Sequence, residues 1–117
     1  MDVLFIINEA PYGNERFYNA LRLAQAMLKQ ADDGEVALFL MADAVTGARK
    51  GQKTPEGYYN IELMLSRIRH GKSRVLLCGT CMDARGLTDG DLIEGVTRST
   101  LAELAELTAK ADKVLVF

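Results

Sequence analysis

The sequence predicts an α/β fold, a three-layer α/β/α sandwich around a mostly parallel sheet of about five strands. Three observations carry this. Val3-Leu4-Phe5-Ile6-Ile7, Val36-Ala37-Leu38-Phe39-Leu40-Met41 and the stretch ending in Val75-Leu76-Leu77 are continuous apolar runs, the mark of strands covered on both faces. Segments with apolar residues at helical spacing lie between them. Gly, Asn, Asp and Pro punctuate the junctions. Strand and helix alternate through 117 residues, as in one domain, 1–117, with right-handed crossovers.

The elements follow in order. The first strand ends at Asn8-Glu9-Ala10-Pro11-Tyr12-Gly13, a turn. Asn14 is the expected N-cap of a helix reaching residue 31, with Phe17, Ala20, Leu21, Ala24, Met27 and Leu28 on its apolar face. Asp32-Asp33-Gly34 stops it. Asp43 lies just past the second strand, and residues 44–46 make a short helical turn. Residues 47–57, with three glycines and three basic residues, form the longest irregular stretch, and such loops are usually functional or mobile. A second helix over 59–69 carries Ile61, Met64, Leu65 and Ile68 inward. His70-Gly71 closes it, which puts His70 at the negative end of a helix dipole on the amino side of the sheet. The third strand runs into Cys78-Gly79-Thr80-Cys81-Met82-Asp83-Ala84-Arg85-Gly86. Thr88 to Asp91 is a short helix or turn, and 94–97 a short fourth strand. Thr100 and Glu103 form a capping box for a last helix to residue 110, and Val114-Leu115-Val116-Phe117 closes the sheet.

Composition excludes several classes. Hydrophobic residues make up 49% and charged residues 26% of the chain, the balance of an ordinary soluble domain. A net charge of -2 lacks the basic surplus of a nucleic-acid binder. No apolar run approaches the ~20 residues of a membrane span. Met1-Asp2-Val3 has no basic n-region, so a cytoplasmic location is expected, and there a cysteine pair reads as reactive rather than as a staple. Two cysteines and one histidine fall short of the roughly four ligands of structural zinc. No phosphate-binding glycine loop or serine elbow is present. Neither a metal nor another cofactor is expected.

The chemistry centres on the cysteine turn. Cys78 emerges at the carboxyl end of a buried strand. With Thr80 as N-cap, Asp83 falls at N3 and Gly86 ends the turn in the left-handed conformation. Helix-start amides, together with Arg85 one turn beyond Cys81, favour a thiolate and can lower a cysteine from about 8.5 to roughly 3.5–7.5. Open parallel sheets bind ligands outside their carboxyl ends. The loops there bring together Asn8, Tyr12 and Gly13, then Asp43, then Cys78 and Gly79. Tyr12 either hydrogen-bonds or covers the thiol, or packs against a neighbour. Asp43 orients a partner or caps the following turn. The basic loop, with Gln52 and Lys53, docks an anion or is simply solvated.

Ala10-Pro11-Tyr12-Gly13, the segment Phe39 to Val45, Gly51-Gln52-Lys53, Tyr59-Asn60-Ile61, Cys78-x-x-Cys81-x-x-x-Arg85-Gly86 and Ala111 to Leu115 occur in this order along essentially the whole chain. Together they resemble the DsrE/DsrF-like family, in particular its small YchN-type branch. The resemblance implies a DsrE-like α/β/α domain and soluble homo-oligomers, trimers or hexamers. It also implies a small sulfur-relay role, with Cys78 carrying sulfane sulfur as a persulfide between donor and acceptor proteins or small sulfur species. Cys81 departs from relay members with one cysteine there, and could resolve the persulfide into a disulfide. Two other readings stand beside the carrier: a Cys78/Cys81 dithiol redox protein, and a non-catalytic oligomeric binding module.

Overall fold

The computed structural model describes residues 1–30, 33–68 and 73–117. Five strands form one sheet: β1 Val3–Ile7, β2 Val36–Leu40, β3 Ser73–Cys78, β4 Val96–Ser99 and β5 Lys113–Val116, in the order β4-β3-β2-β1-β5. Every pairing is parallel, as the unbroken apolar runs require. The helices are α1 Arg16–Leu28, α2 Ile61–Ile68, α3 Gly79–Ala84 and α4 Leu101–Lys110, with 3-10 turns at Ala42–Ala48 and Asp89–Asp91. Among the described residues no helix is long and apolar enough to cross a membrane.

The strand order explains the layers. The first three crossovers step one strand at a time in one direction, and the fourth returns across the whole sheet. Crossovers of one hand therefore put α4 on the face opposite α1 and α2. The register agrees: Leu4, Ala37 and Arg74 align across β1, β2 and β3 and line one cleft with Glu103 and Leu107 of α4. On the other face α1 packs on α2, β1 and β2. Phe5, Phe17, Phe39, Leu38, Leu40, Leu65 and Leu77 are fully buried in the core. Removing a large side chain such as Phe17 from it would cost about 3–5 kcal/mol.

Several boundaries differ from the sequence reading. Asn14 is not the N-cap of α1. Glu15 holds that position without a side-chain bond, and Asn14 Oδ1 instead accepts from the Arg16 amide at 2.9 Å, a turn set just before the helix. The expected end of this helix at residues 31–32, and the His70-Gly71 closure, lie outside the described residues. The second helix starts at Ile61 rather than 59, because Asn60 Oδ1 accepts from the Leu63 amide at 3.1 Å and so caps it. Tyr58 and Tyr59 precede it and stack at 4.5 Å. β4 begins two residues later than expected and runs through Ser99. Thr100 caps α4 by accepting from the Glu103 amide. The Glu103 carboxylate accepts from the Ser99 hydroxyl, so the reciprocal half of the expected box is absent among the described residues.

Candidate functional site

β3 delivers Cys78 to the carboxyl edge of the sheet, and the backbone turns at once into α3. The residue that caps this helix is Cys78, not Thr80. Its Sγ accepts from the Cys81 amide at 3.3 Å. The sulfur occupies the place a serine or aspartate oxygen usually takes, satisfying an amide that the helix itself leaves unpaired. Thr80 Oγ1 lies 3.3 Å from the same sulfur. Gly86 closes the segment at φ 67, with the amides of Gly86 and Leu87 returning to the carbonyls of Asp83 and Met82, the left-handed stop expected of a glycine.

These contacts set the charge state of the pair. Burial pushes the Cys78 thiol up. Hydrogen bonds from the Cys81 thiol, the Thr80 hydroxyl and the amides of Cys81 and Thr80 outweigh it, and the net shift is downward. Cys81 shifts the opposite way. Burial and its hydrogen bond to Cys78 raise it, against the Ala42 amide and Arg85, which favour its thiolate. The two shifts run in opposite directions, so of the pair it is Cys78 whose thiolate the surroundings favour. Cys78 retains 7% of its surface, and Cys81 is half-buried.

The two arginines nearby divide the work in a way the sequence did not reveal. Arg85 Nε and Nη2 donate to Asp43 Oδ1 at 3.0 and 2.9 Å, and Nη1 donates to the Cys81 carbonyl at 3.0 Å. Arg85 and Asp43 thus fasten the 3-10 turn after β2 to α3, around Cys81 rather than Cys78. A half-exposed pair of this kind contributes ~0–1 kcal/mol, so its effect is positional. Ala42, at φ 51, is a non-glycine residue held in the left-handed region beside this contact. Arg98, at the end of β4, sits closer to Cys78. Strand register pairs Leu77 with Arg98 and Cys78 with Ser99. Arg98 Nη1 and Nη2 donate to the two oxygens of Asp83 at 2.9 and 2.8 Å.

Tyr12 and Gln52 belong to a separate cluster at the same edge. The Tyr12 hydroxyl donates to Gln52 Oε1 and accepts from the Ile61 amide at 3.1 Å. Its ring lies 5.7 Å from that of Tyr59. Tyr12 therefore packs against its neighbours. Gln52 Nε2 donates to the carbonyls of Gly47 and Arg49, each at 2.8 Å. The amides of Gly51 and Gln52 both donate to Glu62 Oε1. Lys53 and Gly13 are exposed, and Asn8 is half-buried at the end of β1. Gly79 opens α3 next to the thiol. Two positions beside the cysteine turn escaped sequence reasoning. Arg98 fell in a loop because the fourth strand was set two residues early, and nothing in the sequence marks an alanine at positive φ.

No group of three or more metal-ligating side chains is gathered among the described residues.

Known proteins share this fold. A sequence model of the DsrE/DsrF-like family matches residues 1–117. Protein YchN of Escherichia coli K12 is 48% identical over 115 residues, covering 98% of this chain and 97% of its own. An uncharacterised protein of Methanocaldococcus jannaschii is 40% identical over 117 residues, covering 100% of both. The crystal structure of YchN superposes with a TM-score of 0.93 at 47% identity, covering 99% of this chain and 98% of its own. A Methanobacterium thermoautotrophicum protein of unknown function, MTH1491, reaches 0.81 at 15% identity, covering 99% and 98%, and shares the fold.

Proposed function

This chain belongs to the DsrE/DsrF-like family, and from that premise we propose that it is a cytoplasmic sulfur-relay protein whose Cys78 carries sulfane sulfur as a persulfide. The supporting observation is the capping sulfur: a thiol at the mouth of a parallel sheet, surrounded by donors that favour its anion. The Cys78 thiolate attacks the outer sulfur of a persulfide donor, forming an S–S bond as the donor's own S–S bond breaks and its thiolate leaves; an acceptor thiolate then takes that outer sulfur and the Cys78 thiolate leaves. The family's relay members supply the precedent for the reaction, and the donors around the Cys78 sulfur support a nucleophile at this position.

Incubation of the full chain with polysulfide, followed by peptide mass spectrometry, tests this. The reading expects the peptide bearing Cys78 to gain the mass of sulfur, Cys78→Ser to abolish the gain and Cys81→Ser to keep it. No gain at either cysteine in the wild-type chain would remove the carrier role.

A second reading rests on the hydrogen bond between the two thiols. Cys81 as a thiolate could attack the inner sulfur of the Cys78 persulfide. A Cys78–Cys81 disulfide forms, the S–S bond of the persulfide breaks, and hydrosulfide leaves with the electron pair. Return to the dithiol then needs an external thiol. A loss of two hydrogens across the pair after loading, with sulfide released, distinguishes this from the relay. The homo-oligomer implied by the family is a further part of the proposal. It finds support in Val116 on the edge strand β5, 65% exposed. Light scattering should give a trimer or hexamer, and a monomer would refute it.

A further inference from the structure

Resting on the reading of Cys78 as the nucleophile, we propose that Arg98 is a specificity-determining residue that selects anionic sulfur donors, the fitting class being thiosulfonates, whose transferable sulfur is bonded to a sulfonate.

The case begins with Gly79. A Cβ built there would fall 2.8 Å from Arg98 Nε, 2.9 Å from Cζ and 3.0 Å from Nη2. Near-equal distances to three atoms mean that the guanidinium lies across the α-carbon of Gly79, one residue from the thiol. A side chain at position 79 would have to push it aside, a shift that the flexible end of an arginine makes at low cost. Asp83 fixes the plane from the far side of the turn through both Nη atoms. A guanidinium has five N–H donors in a fixed fork, and this pairing uses two of them. Arg85 cannot serve in its place, because Asp43 and the Cys81 carbonyl hold it. Arg98 is accordingly the fixed cation beside Gly79, and its charged form is favoured first by the hydrogen bond to Asp83 and then by the charges of Asp83, Asp89 and Cys78.

A thiolate repels an anionic donor unless a cation sits beside it, and a guanidinium fork matches an oxyanion's oxygens. The step balances without an added oxidant or reductant. The Cys78 thiolate attacks the outer sulfur of thiosulfate, forming a new S–S bond. The bond from that sulfur to the sulfonate sulfur breaks, and sulfite leaves with the electron pair, held by Arg98. The product is the ionised Cys78 persulfide, and total charge is unchanged.

The test uses two alkylating probes of similar size, anionic iodoacetate and neutral iodoacetamide, with rates read at Cys78 in the full chain. Arg98→Gln should lower the iodoacetate-to-iodoacetamide rate ratio about tenfold, the scale of one charge-assisted contact. Gly79→Ala, which displaces the guanidinium without removing it, should lower the ratio too, and Arg98→Lys should restore part of it. An unchanged ratio in Arg98→Gln, or equal losses with both probes, overturns the proposal. Loading from thiosulfate should fall about tenfold in Arg98→Gln by the same arithmetic. A wild-type chain that loads from polysulfide but not from thiosulfate overturns the donor class while leaving the relay intact. One that shows the anion preference but loads from neither donor overturns both the donor class and the relay.

Discussion

The turn at Cys78 and the loop from Arg49 to Asn60 both border the carboxyl edge of the sheet, and they satisfy their polar groups in opposite ways. In the loop, the side chains of Gln52 and Asn60 close on backbone groups and on neighbouring segments. Gln52 bridges Tyr12 to two carbonyls, Glu62 takes two amides, and Asn60 donates to the Gln52 carbonyl and accepts from Leu63. In the turn, a thiol does the capping. A thiol is a poorer acceptor than a carboxylate or hydroxyl, and it gains most from these donors once ionised. The loop thus closes on its surroundings, while the turn presents a sulfur to donors that favour its anion. The lesson is that convergence at one sheet edge does not make every residue there part of the chemistry.

The contrast can be broken most sharply at Cys78. Serine is a good N-cap, so Cys78→Ser should keep the fold within about 1 kcal/mol while abolishing alkylation and sulfur loading at this position, measured by urea unfolding and mass spectrometry. A large loss of stability would mean that the sulfur serves packing more than capping. Tyr12→Phe should do the reverse. It strands the Gln52 carbonyl oxygen and the Ile61 amide, costing roughly 1–3 kcal/mol in denaturant unfolding, and the Cys78 alkylation rate should not move. A fall in that rate would join the two clusters into one site.

Smaller effects sharpen the picture. Cys81→Ala removes the S–H that donates to Cys78, so the pH midpoint of Cys78 alkylation should rise. The pH dependence of stability carries both signs. Cys78, lowered in the fold, adds stability above the pKa of an unfolded thiol, and this is lost as pH falls through its folded value. Cys81, raised in the fold, adds stability below the unfolded value, and this is lost as pH rises through its folded value. The two act in different windows, so unfolding curves should show stability rising with pH below the ordinary thiol pKa, through Cys78, and falling with pH above it, through Cys81. Tyr59 gives the smallest signal. Its hydrogen bond to Tyr58, its burial and the charges around it push it up to about 12. An alkaline absorbance titration should therefore show one of the four tyrosines ionising late; four ordinary ionisations would contradict the stacked cluster.

Much of the fold was legible because its signals are additive along the chain. Continuous apolar runs announced β1, β2 and β3, and helical spacing announced α1, α2 and α4. The turn chemistry at Gly86 and Thr100 was also readable. What the sequence hid depended on competition between neighbours. Thr80 looked like a cap because threonine usually is one, yet Cys78 precedes it and reaches the amide first. Arg85 looked like the thiol's cation by spacing alone, but Asp43, 42 residues away in sequence, claims it. Arg98 became visible only once strand register put β4 beside β3. Tyr12 was read with both alternatives open, and a hydrogen-bonded partner from a distant loop decided between them.

The most direct measurement is the rate of iodoacetamide alkylation at Cys78 as a function of pH, in the wild-type chain. A half-maximal rate below the ordinary thiol pKa is the result predicted by a sulfur that caps α3 and accepts from Thr80 and Cys81. A midpoint at or above the ordinary value would show that burial wins over the donors, and the proposed nucleophile would be an inert thiol.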